Sequence, residues 1–255
     1  MRTVDYTEAP QQAVTLLIYG NPGVGKSTAA ASLAAACEST GKRALFVDTE
    51  AGLFSAVRDA GCKASTIYDV TETGSVGDSI GVSREAMTSP DVGLLVLDTI
   101  TELAESSLRD AVGTKQSPEL REYGRRKADM GKVIRSCRDV AASGTAVVIT
   151  AQQEATQVEG LSGEYGPSIF ASMRVALVAQ VDAVGLLAIV QPFEADAMGL
   201  EPGTRYLDFR PNPRNVTKCR LSKELFGDRP EAHHVWPLRN PQDFQALLLR
   251  IQRQA

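Results

Sequence analysis

The residues with the clearest chemical meaning form one short segment near the start of the chain. Residues 20–27 read Gly-Asn-Pro-Gly-Val-Gly-Lys-Ser and match the pattern GxxxxGK[ST] in full. Glycines let such a loop turn its backbone N–H groups inward around an anion, and the N-terminus of a following helix adds partial positive charge. In this pattern Lys26 would reach the β- and γ-phosphates of a nucleotide, and the Ser27 hydroxyl would ligate Mg²⁺. The segment therefore predicts binding of ATP, or a close nucleoside triphosphate, with Mg²⁺.

The predicted contacts with the nucleotide extend over the whole loop and the start of the next element. They are Gly20, Asn21, Pro22, Gly23, Val24, Gly25, Lys26, Ser27 and Thr28.

Further polar residues follow apolar runs, where they would face the same phosphate site. Asp98 ends VGLLVLD and would hold Mg²⁺ through water, although a strand-ending Asp can also cap the next helix. Glu50 follows RALFVDT and could orient or deprotonate the attacking water, with Glu102 as the alternative base. Gln152, beside Gln153, follows AVVIT, where an amide can hydrogen-bond a γ-phosphate and respond to its loss. These positions predict hydrolysis of the nucleotide to ADP and phosphate.

Two segments are candidates for a nucleic-acid surface. The first is basic with an embedded aromatic residue, which suits a single-stranded backbone with a stacked base, although an exposed helix face explains it equally well. The segment includes Lys115, and its predicted contacts with nucleic acid are Arg121, Tyr123, Arg125, Arg126 and Lys127. The second segment, residues 154–168, carries acidic Glu154, Glu159 and Glu164, while Tyr165 and the nearby Phe170 could stack or simply pack. The role of His233, His234 and Trp236 is left open, with packing in the tail favoured.

The pattern of apolar runs shows which elements would position these residues. Buried strands are predicted at Val14–Tyr19, Arg43–Val47, Val92–Leu97 and Ala146–Thr150, and a weaker one at Ser65–Tyr68. Helices are predicted at Lys26–Cys37 and over residues 118–141. Strands alternating with helices indicate an α/β fold with a mostly parallel sheet covered on both faces.

The last part of the chain has a different character. Strands are predicted at Ala183–Val190, Arg205–Arg210 and Val216–Leu221, and the proline- and asparagine-rich residues 211–215 predict a hairpin between the last two. A helix is predicted over residues 241–252, after an asparagine cap. We expect a domain over residues 1–222 and a C-terminal tail over 223–255 whose terminal helix packs on or near the core.

Composition narrows the class of protein without choosing a partner. The chain has 255 residues, 43% of them hydrophobic, and a formal net charge of −4. This amount of apolar material can fill one sizeable core, and a mildly acidic balance neither demands nor excludes nucleic acid. Four scattered cysteines, a polar N-terminus and the lack of a long apolar run indicate a soluble cytosolic protein without a disulfide framework, signal peptide or membrane partner.

With these residues in place, the chain resembles the RecA-like P-loop ATPases. More closely, it is similar to the short phage-encoded RecA-like proteins grouped as Sak-type single-strand annealing or nucleotide-binding proteins. The matching pieces span roughly residues 12–222 and are LLIYGNPGVGKST, LFVDTE, LLVLDTITEL, AVVITAQQE and YLDFRPNPRNVTKCRLS. The first piece is generic to P-loop proteins, whereas its combination with VDTE and TAQ is more specific.

The resemblance implies roles for individual residues. Glu50 occupies the place of the water-activating glutamate, Asp98 that of the Walker B aspartate, and Gln152 that of the glutamine coupling γ-phosphate to a DNA-binding loop. Lys218 and Arg220 fall where the family presents basic fingers to the nucleotide of an adjacent subunit, although a solvated strand face is the plainer interpretation. A homo-oligomer with nucleotide near its interface is therefore expected. Ring and filament both stay open, because the lead before Val14 is shorter than the family's polymerisation module.

The resemblance also implies a biological setting. It favours a DNA-stimulated ATPase that acts on single-stranded DNA in phage-type recombination, in the host cytoplasm, with a single-strand-binding protein as a further partner. A P-loop kinase is one alternative, and phosphate release without an added acceptor would argue against it. A nucleotide-gated interaction protein without DNA binding is another.

Overall fold

The structure is a computed structural model and describes residues 12–71, 76–115, 117–155, 165–220, 222–228 and 234–252. Glu159, Glu164 and His233 lie outside these ranges, as does most of the segment 154–168 that is a candidate for a nucleic-acid surface. In the described part the strands are β1 Thr15–Gly20, β2 Arg43–Asp48, β3 Thr66–Asp69, β4 Val92–Asp98, β5 Ala146–Ala155, β6 Tyr165–Pro167, β7 Ala183–Ile189, β8 Arg205–Asp208, β9 Lys218–Cys219 and β10 Val235–Pro237. The helices are α1 Lys26–Ser39, α2 Leu53–Asp59, α3 Val76–Thr88, α4 Ile100–Val112, α5 Leu120–Ala142, α6 Ala171–Gln180, α7 Ala195–Met198, α8 Ser222–Phe226 and α9 Pro241–Ile251.

These strands form one mixed sheet in which eight follow one another in the order β10-β8-β7-β1-β5-β4-β2-β3, while β6 pairs with β5 and β9 with β7 off this path. All neighbours from β7 to β3 are parallel, whereas β8 and β10 extend the sheet antiparallel to their neighbours. The central strands β1 and β4 are buried along their whole length, which explains why their sequences are continuous apolar runs rather than alternating ones. The predicted fold class, a mostly parallel sheet flanked by helices with C-terminal antiparallel strands, is confirmed.

Helices cover both faces of the sheet and bury a separate apolar core on each. On one face, α1 packs against α2 and α9, and its alanines allow close approach to the sheet. On the other face, α5 lies between α3 and α4 and also contacts α6. Because these strands are parallel, their carboxyl ends all lie at one edge of the sheet. Polar residues that follow the strands therefore meet at that edge.

The predicted hairpin between the late strands is wrong. Both β8 and β9 pair antiparallel with β7, β8 opposite Leu186–Ile189 and β9 opposite Ala183 and Val184. The two strands therefore run in the same direction along one partner, and residues 209–217 leave the sheet and return to it. Pairing is decided by the edge that β7 offers, and the paired residues of β8 and β9 lie 16 to 36 positions later in the chain than their β7 partners.

The C-terminal part packs on the same face as α1. Leu225, Phe226, Leu247 and Leu248 belong to the core cluster of that face. The end of α9 also meets the start of β1, because the backbone N–H of Val14 donates to the Ile251 carbonyl at 2.9 Å. The division at residues 222 and 223 stays a prediction. None of the helices in the described ranges is both long and apolar enough to cross a bilayer.

Candidate functional site

The phosphate-binding loop joins β1 to α1 at the carboxyl edge of the sheet. Gly23 and Gly25 have φ values of 76° and 100°, a backbone region that side-chain-bearing residues rarely adopt. Gly20 is required for a different reason, since a Cβ atom there would lie 2.6 Å from the Leu187 carbonyl oxygen of β7. The loop is therefore shaped by glycine at three positions, and α1 begins directly after it at Lys26.

Lys26 is buried, with 8% of its surface exposed, and its ammonium group is held inside the loop. It donates to the carbonyl oxygens of Gly20 at 3.0 Å and Asn21 at 3.1 Å. Burial lowers the pKa of Lys26, while the negative charges of Asp98 and Glu50 oppose this shift. The hydrogen-bond partners of the ammonium group are thus carbonyl oxygens of the loop, and phosphate oxygens can replace them.

Asp98 is buried at the end of β4 and faces the start of α1. Its carboxylate accepts hydrogen bonds from the hydroxyls of Thr150 and Ser27. Burial raises the pKa of Asp98, and the two hydroxyl donors oppose that shift. A hydroxyl and a carboxylate are the hard oxygen donors that Mg²⁺ accepts, and the described residues contain no cluster of three or more His, Cys, Asp or Glu able to hold a metal by themselves. The donor set therefore fits a Mg²⁺ ion that takes its other ligands from phosphate and water.

Glu50 is exposed on the turn after β2, and this turn is fixed by Asp48. The buried Asp48 carboxylate accepts the backbone N–H groups of Glu50 at 3.1 Å and Leu53 at 3.0 Å. The Glu50 Oε1 atom accepts two hydrogen bonds, from the Thr99 hydroxyl at 2.9 Å and from the Gln152 amide at 3.2 Å. One carboxylate oxygen is thereby fixed by two donors.

The ends of β2 and β4 are linked by a pair of buried threonines. The Thr49 hydroxyl donates to the carbonyl oxygens of Asp98 and Thr99, and it accepts the Thr99 backbone N–H at 2.8 Å. The Thr99 side chain also caps α4 by accepting the Glu102 N–H. Sequence reasoning missed Thr49, Thr99 and Thr150, although Thr49 and Thr99 directly follow buried strands and Thr150 ends the apolar run AVVIT, the signal that identified Asp98.

Gln152 lies beside the phosphate loop, since it pairs in register with Gly20. Its backbone N–H donates to the Thr101 hydroxyl at 3.0 Å, and its carbonyl accepts the Ser168 N–H at 2.6 Å. The Thr101 hydroxyl donates in turn to the Ser168 carbonyl at 2.7 Å. Gln152 is therefore bonded both to Glu50 and to the segment that follows β6.

The stem formed by β5 and β6 is held by a buried cation. Arg174 of α6, with 4% of its surface exposed, pairs with Glu154 and donates to the carbonyl oxygens of Pro167 and Ile169. Ser168 donates to the same Glu154 carboxylate at 2.8 Å. Glu154, interpreted from sequence as part of an acidic loop, is thus a structural partner on the stem.

The alternative base, Glu102, is engaged elsewhere. It lies in the first turn of α4, and its carboxylate pairs with Arg109, two turns farther along the same face of the helix. The structure brings Glu50, and not Glu102, into contact with Gln152.

The proposed nucleic-acid residues lie at the start of α5, and they differ in exposure. Arg121, Tyr123, Arg125 and Lys127 are exposed. Arg126 is 7% exposed, and its guanidinium lies 4.1 Å from the centroid of the Phe170 ring and pairs with Glu105 at 3.2 Å. Arg126 and Phe170 therefore pack together, whereas the other four residues are exposed on the first turns of α5.

Lys218 and Arg220 lie away from the phosphate loop of their own chain. Lys218 of β9 lies opposite Val184, which pairs in turn with Leu17, so that Gly20 is three residues, or about 10 Å, farther along β1. The Lys218 ammonium donates to the carbonyl oxygens of Val178, Ala179 and Val181, and Arg220 donates to that of Ala179. Burial, helped by the charge of Arg220, lowers the pKa of Lys218 to about 8. Both cations cap the C-terminal end of α6.

His234 and Trp236 pack in the C-terminal part. His234 is buried and stacks on the ring of Phe226 at 4.4 Å between centroids, while the Trp236 ring meets Phe226 edge-on at 6.2 Å. The Trp236 indole donates to the Asp243 carbonyl at 3.2 Å. These contacts tie β10 to α8 and α9.

Comparison of the chain with known proteins gave one family match and several similar solved structures. A family model described as an AAA domain matches residues 12–221. Among solved structures, the chain is similar to a KaiC-like protein from the hyperthermophilic archaeon Pyrococcus horikoshii, with 16% identity, a TM-score of 0.47 and 77% of each chain covered. It is also similar to a structure described as an ATPase domain, with 14% identity, a TM-score of 0.51, and 91% of this chain and 83% of that chain covered.

The search of curated proteins found no match. Identities this low establish a shared fold only, whereas the family model spans most of the chain. This match shows that the chain belongs to the AAA domain family, and the phosphate loop and sheet order give it a P-loop fold similar to that of RecA-like ATPase domains.

Proposed function

We propose that this protein hydrolyses ATP, binds single-stranded DNA and promotes annealing or strand exchange in phage-type recombination, as the Sak-type resemblance implies. The observation that carries the proposal is the chain of hydrogen bonds from Glu50 through Gln152 to Ser168 after β6. These hydrogen bonds join Glu50, the proposed base for hydrolysis, to the stem formed by β5 and β6. The stem lies at the same edge of the sheet as the exposed basic residues of α5.

The geometry supports a specific division of labour during hydrolysis. The backbone of Gly20–Ser27 would enclose the β-phosphate, and the Lys26 ammonium would exchange its two carbonyl partners for β- and γ-phosphate oxygens. Ser27 and Asp98 would hold Mg²⁺, which when bound neutralises charge on the phosphates. Glu50 would take a proton from water at Oε2, because Thr99 and Gln152 fix its other oxygen.

The proposed DNA surface consists of the exposed residues Arg121, Tyr123, Arg125 and Lys127 on the first turns of α5, with exposed Tyr165 at the start of β6. Cations would contact the phosphate backbone, and the aromatic rings would stack on bases. Because the formal net charge of the chain is −4, binding should be modest and steeply dependent on salt.

Lys218 and Arg220 are proposed to act on the nucleotide of a neighbouring subunit in a homo-oligomer. Their distance from the phosphate loop of their own chain favours this role over one in cis. To perform it they would exchange the α6 carbonyl oxygens for phosphate oxygens of the neighbour's nucleotide. A single-strand-binding protein in the host cytoplasm is the further partner that this function implies.

The proposal is tested by measuring phosphate release from ATP with Mg²⁺, without any acceptor, and with or without single-stranded DNA at low salt. We expect DNA to stimulate turnover and Lys26→Ala to abolish it. Combined Arg121→Ala and Lys127→Ala substitutions should reduce DNA stimulation and leave basal turnover intact, whereas Arg84→Ala, an exposed arginine on α3, should change neither. Turnover that no length of DNA alters would contradict the DNA-dependent function, and release only on adding an acceptor would favour a kinase.

A further inference from the structure

One arginine far along the chain touches the phosphate loop directly. The Nε atom of Arg205 donates to the Val24 carbonyl oxygen at 2.9 Å, a contact between residues 181 positions apart. The backbone of Arg205 is fixed on both sides, because it pairs with Ile189 of β7 and its carbonyl accepts the Leu238 N–H at 2.8 Å. The side chain is therefore delivered to the loop from a rigid position in the antiparallel extension of the sheet.

Arg205 occupies the space that Gly25 leaves open. A Cβ atom at Gly25 would lie 2.9 Å from the Arg205 Nε atom and 3.5 Å from its guanidinium carbon. Gly25 thus serves two purposes: it adopts a φ of 100°, and it allows a guanidinium to lie against the loop backbone.

Because the peptide bond is planar, this contact also fixes the orientation of the Val24–Gly25 peptide. In a trans peptide the C=O of one residue and the N–H of the next point in opposite directions. The contact that fixes the Val24 carbonyl toward Arg205 therefore aims the Gly25 N–H away from Arg205. In loops of this pattern, the inward N–H groups are the phosphate donors.

The charge of Arg205 is also available to a bound anion. Arg205 is exposed and forms no ion pair with any residue in the described ranges. Two other arginines near this edge differ: Arg210 pairs with the buried Asp208, and Arg126 pairs with Glu105. Within the described part of the chain, Lys26 and Arg205 are the basic side chains that hydrogen-bond to the phosphate loop.

We propose that Arg205 is a positioning residue for the phosphate loop, which holds the Val24–Gly25 peptide in its phosphate-binding orientation and adds positive potential beside the bound nucleotide. This inference rests on the proposed function, since it requires nucleotide binding at Gly20–Ser27. It assigns a role in cis to a residue of the late strands. The family resemblance linked these strands, through Lys218 and Arg220, only to the nucleotide of a neighbouring subunit.

The test compares Arg205→Ala and Arg205→Lys with the wild-type protein and with Arg84→Ala as a matched charge control. Calorimetry with Mg²⁺ present gives the Kd for ATP and for ADP, steady-state turnover gives kcat and KM, and thermal unfolding without nucleotide gives Tm. For Arg205→Ala we expect the Kd for both nucleotides to rise about tenfold, because the peptide it orients faces phosphates that both contain. KM should rise with kcat unchanged, Arg205→Lys should recover part of the affinity, and Tm should stay close to that of Arg84→Ala.

Three results would overturn the inference. These are an unchanged Kd, a loss confined to ATP, which would assign Arg205 to the γ-phosphate, and a fall in Tm that accounts for the weaker binding. If the wild-type protein bound neither nucleotide, the proposed function itself would fail. Normal wild-type binding with unaffected Arg205 variants would refute the positioning role alone.

Discussion

Replacing Glu50 by Gln separates the chemistry of hydrolysis from the binding of nucleotide. The Oε1 atom of Glu50 accepts hydrogen bonds from Thr99 at 2.9 Å and Gln152 at 3.2 Å, and a glutamine oxygen can accept both. The substitution therefore preserves the shape and these contacts of the side chain and replaces only Oε2 by an amide group. An amide cannot take a proton from water, and general-base catalysis contributes about 10²–10⁴-fold in rate.

The expected loss in kcat for Glu50→Gln is thus about two to four orders of magnitude, or about 2.7–5.4 kcal/mol in activation free energy. Affinity for ATP should be unchanged or slightly higher, because Glu50 contributes negative charge near Lys26. Phosphate release measured under saturating ATP gives the first quantity, and calorimetry with Mg²⁺ gives the second. The variant should bind ATP and retain it.

Glu102→Gln is the matched control. Its carboxylate lies on the first turn of α4 and pairs with Arg109, so its conversion to an amide should leave kcat within about threefold of the wild-type value. The assignment of the base would be refuted if Glu50→Gln retained near-normal turnover or if Glu102→Gln lost as much.

Two further predictions concern basic residues whose surroundings differ from those expected. Lys218→Ala should lower the free energy of unfolding in urea by about 1–2 kcal/mol, because the carbonyl oxygens of Val178 and Val181 near the end of α6 lose the Lys218 donor; unchanged stability would show that Lys218 does not act as a cap. Arg126→Ala should be destabilising by about 1–3 kcal/mol through loss of its contacts with Glu105 and Phe170, whereas Arg121→Ala should stay within about 0.5 kcal/mol of wild type; equal effects in denaturation would contradict the burial of Arg126.

Much of the fold followed from local patterns because the central strands are buried on both faces. Such strands are continuous apolar runs, and the polar residue that ends each run marks the carboxyl edge of the sheet. This is why the sequence alone places Glu50, Asp98 and Gln152 near Lys26. The structure brings Lys26, Asp98 and Glu50 close enough for their charges to influence one another, and it bonds Gln152 to Glu50.

The features that sequence did not predict depend on distant partners. The course of residues 209–217 is set by pairing with β7, and local turn chemistry cannot specify which strand a segment joins. Arg126 lies in a basic cluster, yet its burial depends on Phe170, which is 44 positions away. Arg205 gave no signal at all, since a single arginine at the start of a strand is common and its partner lies at the other end of the chain.

The contact between β1 and α9 bears on the order in which the protein can be completed during synthesis. Val14 reaches its partner at Ile251, and the side chain of Gln252 donates to the Gly93 carbonyl at 3.0 Å, so the earliest strand binds the last helix. Because chains emerge from the ribosome N-terminal part first, the alanine face of α1 that receives α9 stays uncovered until α9 has been translated. A nascent chain that pauses before α9 would therefore expose this apolar face, which a chaperone could bind.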